Sequence, residues 1–230
     1  RKSGAPTLAI VNDESSPLAR AAADVLPLYA GLEKSVAATK TYTAQLAAVA
    51  LLSASFSRRR KDVDELSRIP SAMGRALATE ERAAALAGAF SEGSRAVVLA
   101  RGVNYPTAHE IALKLKELAL LSAEAFSSAD FAHGPVALAE RGLPALIVSP
   151  PGGVAARELR DLAARLRRRG SPVVAIGPRG ESSLPLPRTP EILSPLVAVV
   201  PGQLLAFHLA RSRKLDPENP RGLRKVTKTR

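Results

Sequence analysis

The sequence predicts an α/β protein built from two related units, each a parallel sheet sandwiched between helices, the first incomplete at its N-terminus. Three observations lead there. The runs "RAVVLARG", "LPALIVSP" and "PVVAIG" are continuously apolar, as strands buried on both faces must be. They alternate with helical patterns, the signature of a parallel sheet. The chain also echoes itself: the opening "RKSGAPTLAIVNDESSPLARAAADVLPL" resembles "RRRGSPVVAIGPRGESSLPLPRTPEILSPL" from Arg167 onward. Both pass from basic residues through Gly and Pro into a strand carrying Ala-Ile, then a Ser-Ser loop. Gly closes the preceding helix, and Pro begins a strand without needing a ladder donor.

The elements follow in order. The first copy opens on its strand and continues with helix in part of "SSPLARAAADVLPLYA". Further helices are expected at "AATKTYTAQLAAVALLSASFSRRR" and "TEERAAALAGAF", with "KDVDELSRIPSAMGRAL" between them as helix broken at Pro70. In the second copy "RAVVLARG" is a strand and a glycine turn, and residues 107–126 form a helix. "LPALIVSP" is the next strand, "VAARELRDLAARLRRRG" a helix ending at Gly170, and "PVVAIG" the third strand. "PLVAVVPGQLLAFHLARSRK" reads as a short strand and then a helix. The first copy begins at what is the third strand of the second, so about 90 residues are expected ahead of Arg1. The boundaries read as 1–90, 91–215 and a tail at 216–230.

Composition narrows the function. Of 230 residues 46% are hydrophobic, enough for a sizeable core. There is no Cys, which excludes disulfides, thiolate metal sites and a cysteine nucleophile, and fits a reducing cytoplasm. His109, His133 and His208 have no metal-ligand spacing. No signal peptide is evident, and the longest apolar candidate, "LAAVALLSASF", is too short to span a bilayer, so a soluble protein without a membrane partner is expected. The net charge of +12 would suit nucleic acid, but aromatics are only 3% and none interleaves with the basic clusters. Much of the charge sits in helical stretches such as "RELRDLAARLRRRG", read as a solvated face, and no nucleic-acid partner is expected.

The chemistry gathers in "AHEIALKLKELALL", residues 108–121. On a helix turning about 100° per residue, Glu110, Lys114 and Glu117 fall within about 60° of one another, while Lys116 points elsewhere. The rest of the cylinder is apolar, so the helix is expected to be buried. Its Glu-Lys-Glu stripe faces either a strip of solvent or a polar cavity.

Three stretches carry a family resemblance: "GLEKSVAATKTYTAQL" (31–46), "RGVNYPTAHEIALKLKELALLSAEAFSSADFAHGP" (101–135) and "DPENPRGLRKVTKTR" (216–230). Together they resemble the sugar isomerase (SIS) family. Within it they are similar to the isomerase half of glutamine:fructose-6-phosphate aminotransferase and to the SIS-type glucosamine-6-phosphate deaminases, with the wording of the first and third stretches leaning toward the deaminases. The resemblance implies two SIS subdomains, the first being 1–90 and the second 91–215, with 216–230 an active-site tail. It implies an aminosugar-phosphate deaminase/isomerase, converting glucosamine 6-phosphate to fructose 6-phosphate and ammonia or carrying out the related aldose–ketose isomerisation, or alternatively the isomerase domain of an aminotransferase. It also implies a phosphorylated sugar or aminosugar as substrate, no metal or organic cofactor, and a homodimer. It makes Glu117 the base that shuttles a proton between C1 and C2, with Glu110 and Lys114 binding substrate or tuning the charge beside it. It makes His133 the ring-opening group, reaching the neighbouring subunit's site, and Lys225 the tail amine, a Schiff-base former in the aminotransferases. Val36 and Arg224 match positions that bind substrate through the backbone. The family's Ser/Thr-rich phosphate loop has no match here and is expected in the preceding segment. The same resemblance admits a non-catalytic sugar-phosphate sensor. His208, in the apolar "LLAFHLA", reads as a core residue.

Overall fold

A computed structural model describes residues 3–139 and 142–225. The chain opens with β1 (Leu8–Val11), a short helix α1 (Pro17–Ala21) and β2 (Asp24–Pro27). The Ser16 hydroxyl accepts from the Ala19 amide and starts α1, with Pro17 in the first turn. The strands pair in parallel, Leu8 opposite Asp24 and Ile10 opposite Leu26. The helix expected across "SSPLARAAADVLPLYA" is therefore only five residues long. Ala22 turns extended, and the chain runs straight into a strand.

Four helices follow: α2 (Lys40–Ser57), α3 (Arg60–Ser67), α4 (Ile69–Leu77) and α5 (Glu80–Ala87). Pro70 lies in the first turn of α4, where its missing N–H costs no helical bond, so the break read at this residue is a helix start.

The second half is β3 (Arg95–Ala100), α6 (Tyr105–Ala119), β4 (Ser122–Ser127), a short α7 (Ser128–Ala132), β5 (Ala145–Val148), α8 (Ala156–Arg168), β6 (Val173–Gly177), β7 (Ser183–Pro185) and α9 (Ser194–Ser212). The five strands form one parallel sheet in the order β4-β3-β5-β6-β7. Alternate residues feed two cores. Ala96, Val98 and Ala100 face α4, α5, α6 and α9, whereas Val97 and Leu99 face Phe131 and the Leu159–Leu162–Leu166 stripe of α8. The mixed α/β architecture with a helix-flanked parallel sheet is the class the sequence predicts. The echo also has a physical counterpart: β1–β2 and β6–β7 are both parallel pairs, each followed by a long apolar helix, α2 or α9.

Elements of the second half also differ from expectation. The helix read over 107–126 stops at Ala119, because Leu120 adopts a left-handed conformation and the Leu121 amide closes back on the Leu115 carbonyl. The remaining "SAEAFS" is the edge strand β4. The "PLVAVV" read as a strand is helical, and α9 runs through Pro201 without interruption. The sequence also gives no strand signal for the three-residue β7, which contains Pro185.

The segment Glu191–Ser212 is long and apolar enough to cross a bilayer by length and composition, longer than the apolar stretch singled out in the sequence. It lies in the core, 67% of its 18-residue apolar window buried, and is packed on α4, α5 and α6. Its contact with α6 is close: a methyl group on Gly202 would drive into Ile111 Cγ1 and Cδ1. At its end the Arg213 guanidinium donates to the carbonyls of Ala119, Phe90 and Gly93 at 2.9, 2.8 and 2.6 Å, tying the ends of α6 and α5 to the start of β3. The crossing gives a direct prediction. Gly202→Ala should destabilise the protein by about 1–3 kcal/mol through overpacking, measured as a lower urea midpoint at unchanged slope, while Gly74→Ala, with open space at its Cβ position, should not.

Candidate active site

Helix α6 is buried along Ala108, Ile111, Ala112, Leu115, Leu118 and Ala119, and this burial draws its polar stripe inward. Glu110 is 9% exposed and Lys114 3%, so both sit in the interior. Lys116 is exposed, as its helical angle requires. Lys114 Nζ lies 2.6 Å from Glu117 Oε2 and 3.6 Å from Glu110 Oε1. The ammonium thus bridges two carboxylates one turn apart in opposite directions. Glu117 keeps 24% of its side chain exposed and is the member of the three that meets solvent. The stripe therefore does not face open solvent.

The neighbours of Glu110 are polar as well. Burial pushes its carboxyl above the 4.5 of a free glutamate, Lys114 and Gln203 of α9 pull it back down, and the Glu117 charge pushes it up. Gln203 faces the carboxylate, yet its Nε2 closes no hydrogen bond. The hydroxyl of Tyr42, on α2, is also buried, and its pKa is pushed up to about 12 by burial and by the Glu110 charge.

A second cluster joins two stretches far apart in sequence, the loop before α2 and the tail. The Val36 amide donates to the Glu218 carbonyl at 3.4 Å, and Ser35 Oγ donates to the carbonyls of Pro217 and Glu218 at 3.3 and 3.4 Å. Lys225 Nζ donates to the Ser35 carbonyl. Glu33 Oε2 accepts from the Thr39 and Thr41 amides at 3.2 and 2.9 Å, capping α2. Burial pushes the Glu33 carboxyl up, but those amides and the Lys225 charge hold it below the usual glutamate value. A cleft of about 330 Å³ opens here between Leu32–Ser35, Lys40, Glu218 and Asn219.

Of the residues singled out by sequence, the structure joins Glu110, Lys114 and Glu117 in one group, and Val36 and Lys225 in another. Arg224 is exposed beside the second. Residues 226–230 of the tail lie outside the described residues. His133 caps α7 with its amide on the Asp130 carbonyl and is exposed; among the described residues no hydrogen bond or ion pair joins it to α6. His208 is largely enclosed, its Nε2 lying 3.4 Å from Glu80 Oε1. Among the described residues no group of three His, Asp or Glu side chains is arranged to hold a metal ion.

Sequence reasoning assigned no role to Glu33, Tyr42, Asn104, Thr107 or Gln203. Asn104 Nδ2 donates to Ser194 Oγ at 2.8 Å, and Thr107 Oγ1 donates to Asn104 Oδ1 at 3.3 Å, pinning the entry of α6 to that of α9. Glu33, Tyr42, Asn104 and Thr107 all lie inside the quoted motifs, and only the folded contacts separate their roles.

The site and the fold together define a class, and comparison with known proteins assigns it. The SIS domain profile matches residues 89–210. The chain belongs to the SIS family. Among curated relatives it is 39% identical, over 97% of its own length and 39% of theirs, to glutamine–fructose-6-phosphate aminotransferase (isomerizing) of Methanothermobacter thermautotrophicus. It is 35% identical, over 98% and 40%, to the Thermus thermophilus protein of the same name. The chain thus spans about two fifths of the length of these relatives. Among solved structures, the C-terminal domain of glucosamine-fructose-6-phosphate aminotransferase from Francisella tularensis aligns with a TM-score of 0.86 and 27% identity, covering 93% of this chain and 65% of that one. Glucosamine-6-phosphate deaminase from Thermotoga maritima aligns at 0.75 with 21% identity, covering 95% and 66%, which shows a shared fold.

The electrostatics of Glu110 generate a prediction. Its folded-state pKa lies above the free value of 4.5, so the folded state holds the proton more tightly than the unfolded state. Its contribution is therefore most favourable below pH 4.5 and declines as pH rises from 4.5 through the raised folded value. Glu110→Gln should match the parent in urea midpoint at pH 4 and exceed it at pH 7. A variant less stable than the parent at pH 7 would show that the ionised carboxylate is net stabilising.

Proposed function

We propose that this chain carries the sugar-phosphate isomerase chemistry of a glutamine:fructose-6-phosphate aminotransferase. Glu117 moves the proton between C1 and C2 of an open-chain hexose 6-phosphate derivative. The observation that carries the reading is the placement of Lys114. A buried ammonium is held 2.6 Å from the Glu117 carboxylate, while one side of that carboxylate stays open to a substrate. The relatives at 35–39% identity bear the aminotransferase name, and this favours that reading over the deaminase that the wording of the motifs suggested. The deaminase structure supports the common fold alone.

Within this reading each group has a task. Aldose–ketose interconversion takes a proton from one carbon and returns it to the next through an enediol-type intermediate. Glu117 accepts and returns the proton. The Lys114 ammonium stabilises negative charge developing beside it. The Lys225 amine attacks the C2 carbonyl of the open-chain ketose: a C–N bond forms and the carbonyl oxygen leaves as water; ammonia then displaces the lysine from the imine, and Glu117 moves a proton from C1 to C2 of the resulting substrate imine. An ammonium has no lone pair for the attack, so the amine, lying against the Ser35 carbonyl, reacts only after giving up a proton. His133, exposed in this chain, serves ring opening in the site of a second subunit, and Val36 and Arg224 contact the substrate through their backbones. The domain reading carries over as part of the proposal: 1–90 supplies part of one SIS subdomain, 91–215 the second and 216–230 the tail.

The test uses the full-length protein with fructose 6-phosphate and either glutamine or ammonia, measuring glucosamine 6-phosphate. Glu117→Gln should retain sugar-phosphate binding and lose turnover by about 10²–10⁴-fold. Unchanged turnover would remove Glu117 from its role. Sugar-phosphate binding without turnover in the parent would favour a sensor, and ammonia release from glucosamine 6-phosphate as the dominant activity would favour the deaminase.

A further inference from the structure

Two side chains from different helices neighbour the Glu110 carboxylate in the interior, and each of the three groups leaves a buried polar atom without a hydrogen-bond partner among the described residues. The atoms are Tyr42 Oη on α2, Glu110 Oε1 on α6 and Gln203 Nε2 on α9. Buried polar atoms are nearly always paired, so three orphans at one junction call for an explanation. Their chemistry is complementary. An ionised carboxylate only accepts, a carboxamide nitrogen only donates, and a phenol can donate. The junction therefore holds two donors for one acceptor. Gln203 faces the Glu110 carboxylate, and the Tyr42 hydroxyl lies within its field.

We propose that Tyr42 and Gln203 form a two-donor clamp on the Glu110 carboxylate, directly or through a single water, and act as positioning residues for the Lys114–Glu117 pair. The inference rests on the assignment of Glu117 as the base. Lys114 is shared unequally, 2.6 Å from Glu117 and 3.6 Å from Glu110. While Glu110 is an anion, the ammonium is drawn toward both carboxylates. Once Glu110 takes a proton, that side of the triad loses its charge and the ammonium is drawn to Glu117 alone, which changes the position of the group beside the proposed base. The donors of the clamp oppose that protonation. The titratable and charged groups facing Glu110 are Lys114 and Glu117 from its own helix and Tyr42 from α2, and α9 presents the neutral Gln203. The clamp thereby couples two side chains that do not touch substrate to the pH range over which the base works.

Two variants test it in the full-length protein. Tyr42→Phe removes one oxygen and keeps the ring; Gln203→Leu keeps the volume and removes the amide. Two readouts are taken. Titration of the Glu110 carboxyl by carbon NMR in glutamate-labelled protein, with Glu110→Gln identifying the signal, needs no activity. Both variants should raise the midpoint by about one pH unit. In turnover, the acid limb of the kcat/KM profile should move up by a similar amount, with the plateau rate at high pH changed less than threefold. An unmoved carboxyl midpoint in both variants overturns the clamp. A moved midpoint with an unmoved acid limb overturns its coupling to catalysis. A uniform loss of rate at every pH marks a packing role and also overturns it. If the parent protein turns over no sugar phosphate, the reading of Glu117 fails, while the NMR titration still decides the clamp.

Discussion

The interior ammonium of Lys114 is the constraint around which the second half of the molecule is arranged. Withdrawing a charge from water costs several kcal/mol even after the surroundings relax, and the attraction of a partner repays this only in good geometry. Lys114 meets that condition at Glu117, three residues after it and 2.6 Å away, and has a second, looser anion in Glu110, four residues before it and 3.6 Å away. Neither contact is a surface ion pair of the kind that contributes little. The triad is also asymmetric. The deeper carboxylate is pushed toward protonation by burial, and the shallower one has the shorter ion pair and an open side. Two chemically identical groups are thereby given different environments, the general means by which proteins assign acid and base roles.

Keeping such a triad in place requires a helix that cannot rotate or slide. Helix α6 is held at both ends and along its middle. At its start the buried Asn104 joins it to Ser194 of α9. Along its middle Ile111 fits against Gly202, with no room for even a methyl group between the helices. At its end Leu120 turns the chain into the edge strand, and Arg213 binds the Ala119 carbonyl. A rotation of α6 by one residue's worth of arc would bring His109 or Ile111 to the position of Glu110 and carry the whole stripe away from Tyr42 and Gln203. The close crossing with α9 therefore fixes the register of the polar stripe as well as filling the core.

Much of this was legible in the sequence, for identifiable reasons. The strands β3, β5 and β6 are short apolar runs between glycine and proline punctuation, and they stand where expected. The stripe on α6 follows from helical geometry once the helix is granted. What failed was the choice of state for segments with ambiguous composition. "PLVAVV" is β-branched and apolar, yet it is helical because it lies at the centre of a helix bundle, where tertiary burial overrides propensity. "SAEAFS" continued a helical pattern but became a strand, since an exposed leucine in the left-handed region ended the helix without any glycine to announce it. The site was legible as a list of residues and not as an arrangement. Nothing in a linear sequence says that Tyr42, some seventy residues before the stripe, points its hydroxyl at the field of Glu110.

The segment from Glu33 to Tyr42 ties that distant tyrosine to the C-terminal tail. Glu33 caps the amides of Thr39 and Thr41, which fixes where α2 begins and so the rotational position of Tyr42 one residue later. The same loop receives the tail: Ser35 and Val36 bind the carbonyls of Pro217 and Glu218, and the Lys225 amine rests on the Ser35 carbonyl beside the Glu33 carboxylate. One short stretch thus touches the amine proposed to bind the sugar carbonyl at one end and faces the carboxylate behind the proposed base at the other. A tail that withdrew would take from Glu33 the positive charge that helps keep it ionised, and an ionised Glu33 is what holds the first turn of α2. Docking of the amine and orientation of the phenol are then linked through a single helix cap, with no need for a longer chain of contacts between them.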